Sequence, residues 1–328
     1  MDTNAISIQS LDTYYGINAQ RFRRQYKEKL CGFRQWNKQS HALDYLIYPK
    51  NIGVQLAIDE TSVSNGELYT ILTNKLKKGK KGSIVGIFKG TQASEIISHI
   101  RKHIPAHLRN RVKEITLDMA GSMNLIAKSC FIKADRVTDR FHVQKLASEA
   151  VQELRIKYRW KVLSSENRAY KRAKRENREY TPKLLANGDS KKQVLARSRY
   201  LLFKSMEKWT NTQCVRANIL FDNYPDIERA YHLTNQLRCI YNQIIDPDVA
   251  RLKLAKWFDE IEKAGFDSFN SIRQTFQTHS EQIINYFKRR STNAFAESFN
   301  SKIKEFRRSF RGVVDVKYFL FRLTKIYA

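Results

Sequence analysis

From residue 53 onward the apolar positions fall into short runs: VQLAIDETSV, ELYTILTN and SIVGIFKG, parted by the turn-forming SNG and the basic KLKKGKKG. Runs of this length, rich in β-branched residues and bounded by Gly and Asn, predict three consecutive strands in an antiparallel meander. The period then changes in TQASEIISHIRKHIP, where Ile96, Ile97 and Ile100 share one helical face, with Thr91 expected as the cap and Pro105 as the stop. VKEITLDMA predicts a fourth strand, SMNLIAKSCF a helix and ADRVTDRF a short fifth strand. Three strands, a helix, a strand, a helix and a strand is the order of an RNase H-like α/β domain, a mixed sheet flanked by helices.

Residues 142–285 carry almost no strand pattern and several long helical stretches, so they are expected to form a large all-α insertion before the last catalytic helix. Within it, the charge-dense segment 165–193 with NGD at 187–189 is expected to be a helical hairpin with an exposed tip. Trp209 and Trp257 are expected in the core. The boundaries expected are 1–48 for an N-terminal helical segment, 49–141 for the first part of the α/β core, 142–285 for the insertion and 286–328 for the C-terminal part of the core. In the N-terminal segment Gly16 ends one helical piece and Asn18 caps the next, which carries Arg21, Arg23, Arg24, Lys27 and Lys29 among Phe22, Tyr26 and Leu30. That pattern fits either the remnant of a helix-turn-helix or an amphipathic linker helix with a solvated basic face.

Charge narrows the partner. Lys and Arg total 60 against 32 Asp and Glu, a formal net charge of +28 spread along the whole chain. Such an excess repels itself unless a polyanion neutralises it, so nucleic acid is the expected partner. No apolar run approaches the ~20 residues that span a bilayer, and the start MDTNAISIQSLDTYY lacks the pattern of a signal peptide. A cytoplasmic protein is expected, with no membrane partner. Cys31, Cys130, Cys214 and Cys239 lie far apart with no C-x-x-C pair, which argues against a zinc site or a disulfide framework. Phosphate-loop, zinc-protease, serine-hydrolase and dinucleotide fingerprints are absent as well.

The informative acids are few. Asp59 ends the apolar run VQLAID and Asp118 follows Ile115 and Leu117, positions where a carboxylate is costly unless it binds metal or accepts good hydrogen bonds. The first and fourth strands of an RNase H-like sheet are neighbours, so the two acids can converge. Glu297 lies in RRSTNAFAESFNSKIKEFRRSFRG, where Phe295, Phe299, Ile303, Phe306 and Phe310 make one apolar helical stripe. Asn293, Glu297, Asn300, Lys304 and Arg307 or Arg308 fall on the other side, a face suited to a metal and a DNA backbone. The bland alternative for Glu297 is a solvated charge pattern worth a few tenths of a kcal/mol.

Taken together, AIDETS, TLDMAGSM, DRFHVQKL, ARSRYLL and STNAFAESFNSKIKEFRRSFRG resemble the ISL3-type DDE transposases, most closely the Bacteroidetes group typified by the ISAon1 element, from about residue 45 to the C-terminus. The resemblance implies that Asp59, Asp118 and Glu297 are the catalytic and metal-binding triad, with two Mg²⁺ or Mn²⁺ ions per site. It implies a reaction in which water nicks the element end and the freed 3′-OH then attacks target DNA. Arg197, Arg199, Asn293, Asn300, Lys302, Lys304, Arg307 and Arg308 are the candidates for DNA contacts. Asp139 and His142 are candidates to support the metal ligands, or else to fix the strand-to-helix turn.

The implied partners are double-stranded DNA, both the terminal inverted repeats and the target, and a second copy of the chain in a homodimer or larger synaptic complex. Such a protein would associate with the bacterial nucleoid. ISL3-type enzymes usually begin with a zinc-binding segment and a helix-turn-helix, and residues 1–48 lack the cysteines for one, so a separately encoded N-terminal DNA-binding partner is expected. Two rivals share these features: a structure-selective RNase H-like nuclease without joining activity, and a catalytically inactive DNA-binding protein descended from a transposase.

Overall fold

The computed structural model describes residues 2–6, 8–64, 66–310 and 312–328. They form two compact units, one running up to Asp139 and resuming at Arg289–Ala328, the other spanning Arg140–Lys288. The first unit opens with α1 (Ile8–Tyr15) and α2 (Ala19–Gln25), broken at Gly16, whose φ is +62°, and restarted by Asn18, whose side chain accepts from the Arg21 N–H. Both features follow the sequence pattern.

Six strands make one mixed sheet: β1 (Tyr45–Ile47), β2 (Gln55–Ser64), β3 (Glu67–Asn74), β4 (Ile84–Lys89), β5 (Glu114–Leu117) and β6 (Asp135–Thr138), in the order β1-β4-β3-β2-β5-β6. β2, β3 and β4 pair antiparallel, whereas β5 runs parallel to β2 and β6 parallel to β5. The parallel pairs require crossovers, supplied by α3 (Ala93–His103) with the single turn α4 (Ala106–Arg109), and by α5 (Gly121–Cys130). This is the RNase H-like order, with β1 added at the outer edge of the meander. Three residues are too few to show a period, so that edge strand is not visible in the sequence. Thr91 is not the cap of α3: Gln92 holds the N-cap position and gives no side-chain hydrogen bond.

The helical unit contains α6 (Arg140–Arg175), α7 (Lys191–Arg197), α8 (Asn211–Asn223), α9 (Pro225–Asn242), α10 (Pro247–Ala264) and α11 (Asn270–Arg289), the last kinked at His279. Capping boxes start α7 at Ser190 and α8 at Thr210. The expected hairpin within 165–193 is corrected. α6 continues unbroken to Arg175, and the returning chain is irregular up to the short bridge between Leu184 and Ser190. The charge density of this segment does not supply the apolar face a second helix would bury, and Asp189 of the NGD turn is itself buried. Trp257 is buried and donates its indole N–H to the Leu233 carbonyl at 2.7 Å, while Trp209 is half-buried and stacks on Tyr231 with centroids 5.3 Å apart.

Two helices complete the first unit, α12 (Ala294–Ser309) and α13 (Val316–Tyr327). Alternation along the strands sends opposite sets of side chains to the two faces of the sheet. Leu56, Ile58, Leu72, Ile115 and Leu117 pack with Ile96, Ile100, Met123 and Ile126 of α3 and α5. Val63, Tyr69, Ile71, Ile84 and Ile87 pack with Phe299, Ile303, Phe306, Phe319 and Leu323 of α12 and α13. Each such fully buried side chain contributes about 1.5–3 kcal/mol, so both helical layers are held firmly to the sheet. Residues of the N-terminal segment, Tyr26, Cys31 and Phe33, join Tyr318 and Phe321 of α13 in a smaller aromatic cluster. All four cysteines are free thiols, and no helix among the described residues is long and apolar enough to cross a membrane.

Candidate active site

Register brings the strand acids together. β2 and β5 align Leu56 with Ile115 and Ala57 with Thr116, and continuing that register by two residues sets Asp59 level with Asp118. β5 and β6 align Thr116 with Val137 and Leu117 with Thr138, so one further step sets Asp118 level with Asp139. The Asp139 N–H still donates to the Leu117 carbonyl at 3.1 Å, which keeps this last pair in register. Asp59 on β2 and the aspartates that directly follow β5 and β6 therefore stand at one level across three neighbouring parallel strands, about 4.8 Å apart from strand to strand. By alternation they share the face covered by α12, because Ile58, Leu117 and their like point to the opposite side.

α12 runs across this row. Its Asn300, 9% exposed, donates from Nδ2 to Asp59 Oδ2 at 2.7 Å and to the Glu60 carbonyl at 3.2 Å. Asp59 Oδ1 also accepts from the Glu60 N–H at 2.8 Å, and Asp118 Oδ1 accepts from the Ala120 N–H at 2.7 Å. These bonds fix the orientation of both carboxylates. Carboxylate oxygens of Asp139, which is 1% exposed, and of Glu297 lie within 4.8 Å of each other. Glu60 is drawn into the same field: burial first, and the negative charge of Asp118 second, push its pKa above the ordinary glutamate value.

Behind the row lies an ion network, buried at Lys75 and Glu114 and open to solvent at Arg289, that the sequence did not disclose. Lys75 donates to Thr116 Oγ1 at 2.7 Å, Ser291 Oγ at 3.1 Å and Glu114 Oε1 at 3.3 Å. Arg289 reaches Asp135 at 3.3 Å and the other oxygen of Glu114 at 3.7 Å. Glu114 is 1% exposed, and burial lowers the Lys75 pKa although Glu114 opposes it. Breaking such a pair by removing one partner is costly, so the network pins the segment that leads into α12. Its one visible trace was a lone glutamate opening the apolar strand EITL.

The expected DNA contacts divide. Lys304 and Arg308 are exposed on α12; Arg307 donates to the Ser62 carbonyl at 3.1 Å and Lys302 to the Gly79 carbonyl at 3.4 Å. Asn293, at the N-cap of α12, is fully buried, and its side-chain amide has no hydrogen-bond partner among the described residues. Asn300 is turned onto Asp59 rather than toward solvent. In the helical unit Arg197 pairs with Asp189, and the Arg199 guanidinium sits 5.4 Å from the Tyr200 ring centroid. His142 lies on the first turn of α6.

Carboxylates borne on adjacent strands and on a helix laid across them form the kind of site that handles phosphodiesters with hard cations. Residues 56–323 match the family DDE_Tnp_ISL3, described as a transposase, and the chain belongs to this ISL3-type transposase family. It is also similar to the transposase for insertion sequence element IS1001 of Bordetella parapertussis, at 21% identity over 272 residues, covering 82% of this chain. The chain spans 59% of that relative's length.

Proposed function

We propose that this chain is the catalytic part of an insertion-sequence transposase that cleaves DNA strands at the element ends and joins the freed 3′-OH to target DNA. The observation that supports the reading is the register that sets Asp59 level with Asp118, with Asn300 of α12 bonded to Asp59 and Glu297 of the same helix within 4.8 Å of Asp139. Family membership and the name of the IS1001 relative support it. The donor set is made of carboxylate oxygens without thiolates, which suits Mg²⁺ or Mn²⁺. Asp59, Asp118 and Glu297 would hold two such ions, whose chemistry is to make water or a 3′-OH nucleophilic and to neutralise the leaving oxygen.

The chain's own residues prepare that site. Asn300 and the Glu60 N–H hold the two oxygens of Asp59, and the Ala120 N–H holds Asp118. Lys75 and Arg289 fix the start of the catalytic helix against the sheet. Asp139 adds a carboxylate beside Glu297, and His142 is expected to help orient the ligands. Exposed Lys304 and Arg308 would contact the phosphate backbone, with Arg197 and Arg199 contributing from the helical unit. Two ends must be synapsed, so the working form would be a homodimer or larger, aided by an end-binding partner.

The test is Mg²⁺-dependent nicking and strand transfer on DNA carrying the element's own ends, with and without such a partner, comparing wild type with Glu297→Gln. Activity lost only in the variant is expected. Equal activity in both would remove Glu297 from the mechanism. DNA binding without cleavage under every condition would leave the inactive DNA-binding reading, and cleavage without joining would leave the nuclease.

A further inference from the structure

The loop between β3 and β4 carries Lys75, Lys77, Lys78, Lys80 and Lys81, with no acid anywhere between Glu67 and Glu95. Lys75 is used inward, in the network with Glu114. The other four are exposed, and none forms an ion pair among the described residues. Five cations within seven residues repel one another, and a loop with no other duty would relieve this by staying loose.

This loop is not loose. Asn74 closes β3 by accepting from the Leu76 N–H at 3.1 Å and donating to the Asn51 carbonyl at 2.9 Å. Successive turns follow, with Lys78 N–H to Lys75 O at 3.2 Å, Lys80 N–H to Lys77 O at 3.0 Å and Ser83 N–H to Lys80 O at 3.1 Å. Lys78 and Gly79 both have positive φ, +49° and +71°, a conformation a lysine adopts only at some cost. The loop also runs beside the catalytic helix. Lys75 ties its start to Ser291, just before α12, and Lys302 of α12 ties its middle through the Gly79 carbonyl. A Cβ at Gly79 would come within 2.6 Å of the Lys302 ammonium, so the contact is close-fitted. Lys80, Lys81 and Lys302 line one cavity of about 550 Å³ there, together with Glu305 and the ion pair of Lys325 with Asp2.

We propose that this loop is a preformed clamp for the sugar-phosphate backbone of duplex DNA, gripping it alongside the catalytic helix without reading sequence. The inference deepens the transposase reading and rests on it for the identity of the polyanion. Unpaired, rigidly displayed ammonium groups fit phosphates spaced along a strand, and each phosphate neutralised releases condensed counterions.

The experiment measures fluorescence anisotropy of a labelled 30-base-pair duplex against salt, without divalent metal so that no cleavage occurs. Wild type is compared with the quadruple variant Lys77→Gln, Lys78→Gln, Lys80→Gln, Lys81→Gln. A control removes four exposed cations of α6 instead: Lys171→Gln, Arg172→Gln, Lys174→Gln, Arg175→Gln. Loss of two to four phosphate contacts should flatten the slope of log K against log salt by about 2 to 4, and weaken binding roughly 100-fold or more at about 50 mM salt. The control should move much less. An unchanged slope in the loop variant overturns the clamp, as does an equal fall in the control, which would be an effect of net charge alone. A loss seen on duplex RNA but not on DNA also overturns it. Lysine acetylation of the wild-type protein decides the matter even if the variant folds poorly: DNA should shield Lys77, Lys78, Lys80 and Lys81, and unshielded lysines would sink the proposal. Failure of wild type to bind DNA at all would remove the transposase reading as well, whereas an unaffected variant removes only the clamp.

Discussion

Asp59 shows how single residues share the work of the site. An aspartate in the middle of a strand would be expensive there, and Asn300 and the Glu60 N–H each meet one of its oxygens. Replacing Asn300 with Ala should therefore weaken Mn²⁺ binding about 10- to 100-fold, the usual effect of losing a residue that orients a metal ligand, while the melt shows a loss of only about 1 kcal/mol. A calorimetric titration beside a thermal melt checks it, and unchanged affinity would reduce Asn300 to packing. Asp139 makes a different case, because its carboxylate lies within 4.8 Å of that of Glu297 and also feels the Lys75 ammonium. Asp139→Asn should reduce the rise in melting temperature caused by Mn²⁺. An undiminished Mn²⁺ response would assign Asp139 to the turn alone. Glu60 supplies a pH signature. Its pKa is raised by burial and by Asp118, so its contribution to stability is full below the ordinary glutamate value and is lost as pH rises through the raised one. Glu60→Gln should flatten that slope of the metal-free melt above about pH 4.3. At this scale the strand acids were legible, since a carboxylate in an apolar run stands out. The helper was not: Asn300 shares a helical face with Glu297, and only the tertiary placement of α12 turns it onto Asp59.

Elements explain why that placement was hidden. The apolar stripe of α12 is plain in the sequence, and Phe299, Ile303 and Phe306 are indeed buried. The polar side reads in the sequence as one face suited to a metal and a DNA backbone, but a helix lying on a sheet beside a crowded loop buries more than one stripe, and Asn293 and Asn300 go inward. α13 is all but invisible as a partner for α12 until Asp315 is seen to start it. The Asp315 side chain caps the helix through the Tyr318 N–H at 2.9 Å and pairs with Lys27 at 2.7 Å, tying the N-terminal segment to α13. Burial works against its charge, yet the Lys27 ammonium and the Tyr318 and Lys317 N–H groups outweigh it and hold its pKa below the ordinary aspartate value. That stabilisation is full above the unfolded value and is lost as pH falls through the lowered one. Asp315→Ala should cost about 0.5–2 kcal/mol at neutral pH, as for other lost N-caps. The gap between variant and wild type should close in acid, which urea melts at pH 7 and pH 3 would show; a gap that persists in acid would point to packing.

At the scale of the whole molecule, the α/β class was legible because crossover helices and short strands leave different periods, and the order of strands then follows from few allowed topologies. What no period reveals is how a chain leaves the sheet after β6 and returns to it 149 residues later, at Arg289. The return is anchored from the α/β side: Arg289 meets Asp135 of β6 and Glu114 of β5, and Lys75 meets Ser291. Among the described residues, the apolar clusters on either face of the sheet draw their residues from this unit. A unit with both cores complete and its own anchor for the returning strand of chain should fold without the helices between. Joining Asp139 to Arg289 through a flexible Gly/Ser linker should therefore give a protein with a cooperative thermal transition and mixed α/β circular dichroism. It should still gain stability from Mn²⁺, since Asp59, Asp118, Asp139 and Glu297 all remain. A molten, non-cooperative product would mean that the sheet does not hold without the removed segment; a folded product indifferent to Mn²⁺ would mean that these four carboxylates do not suffice to hold the ion.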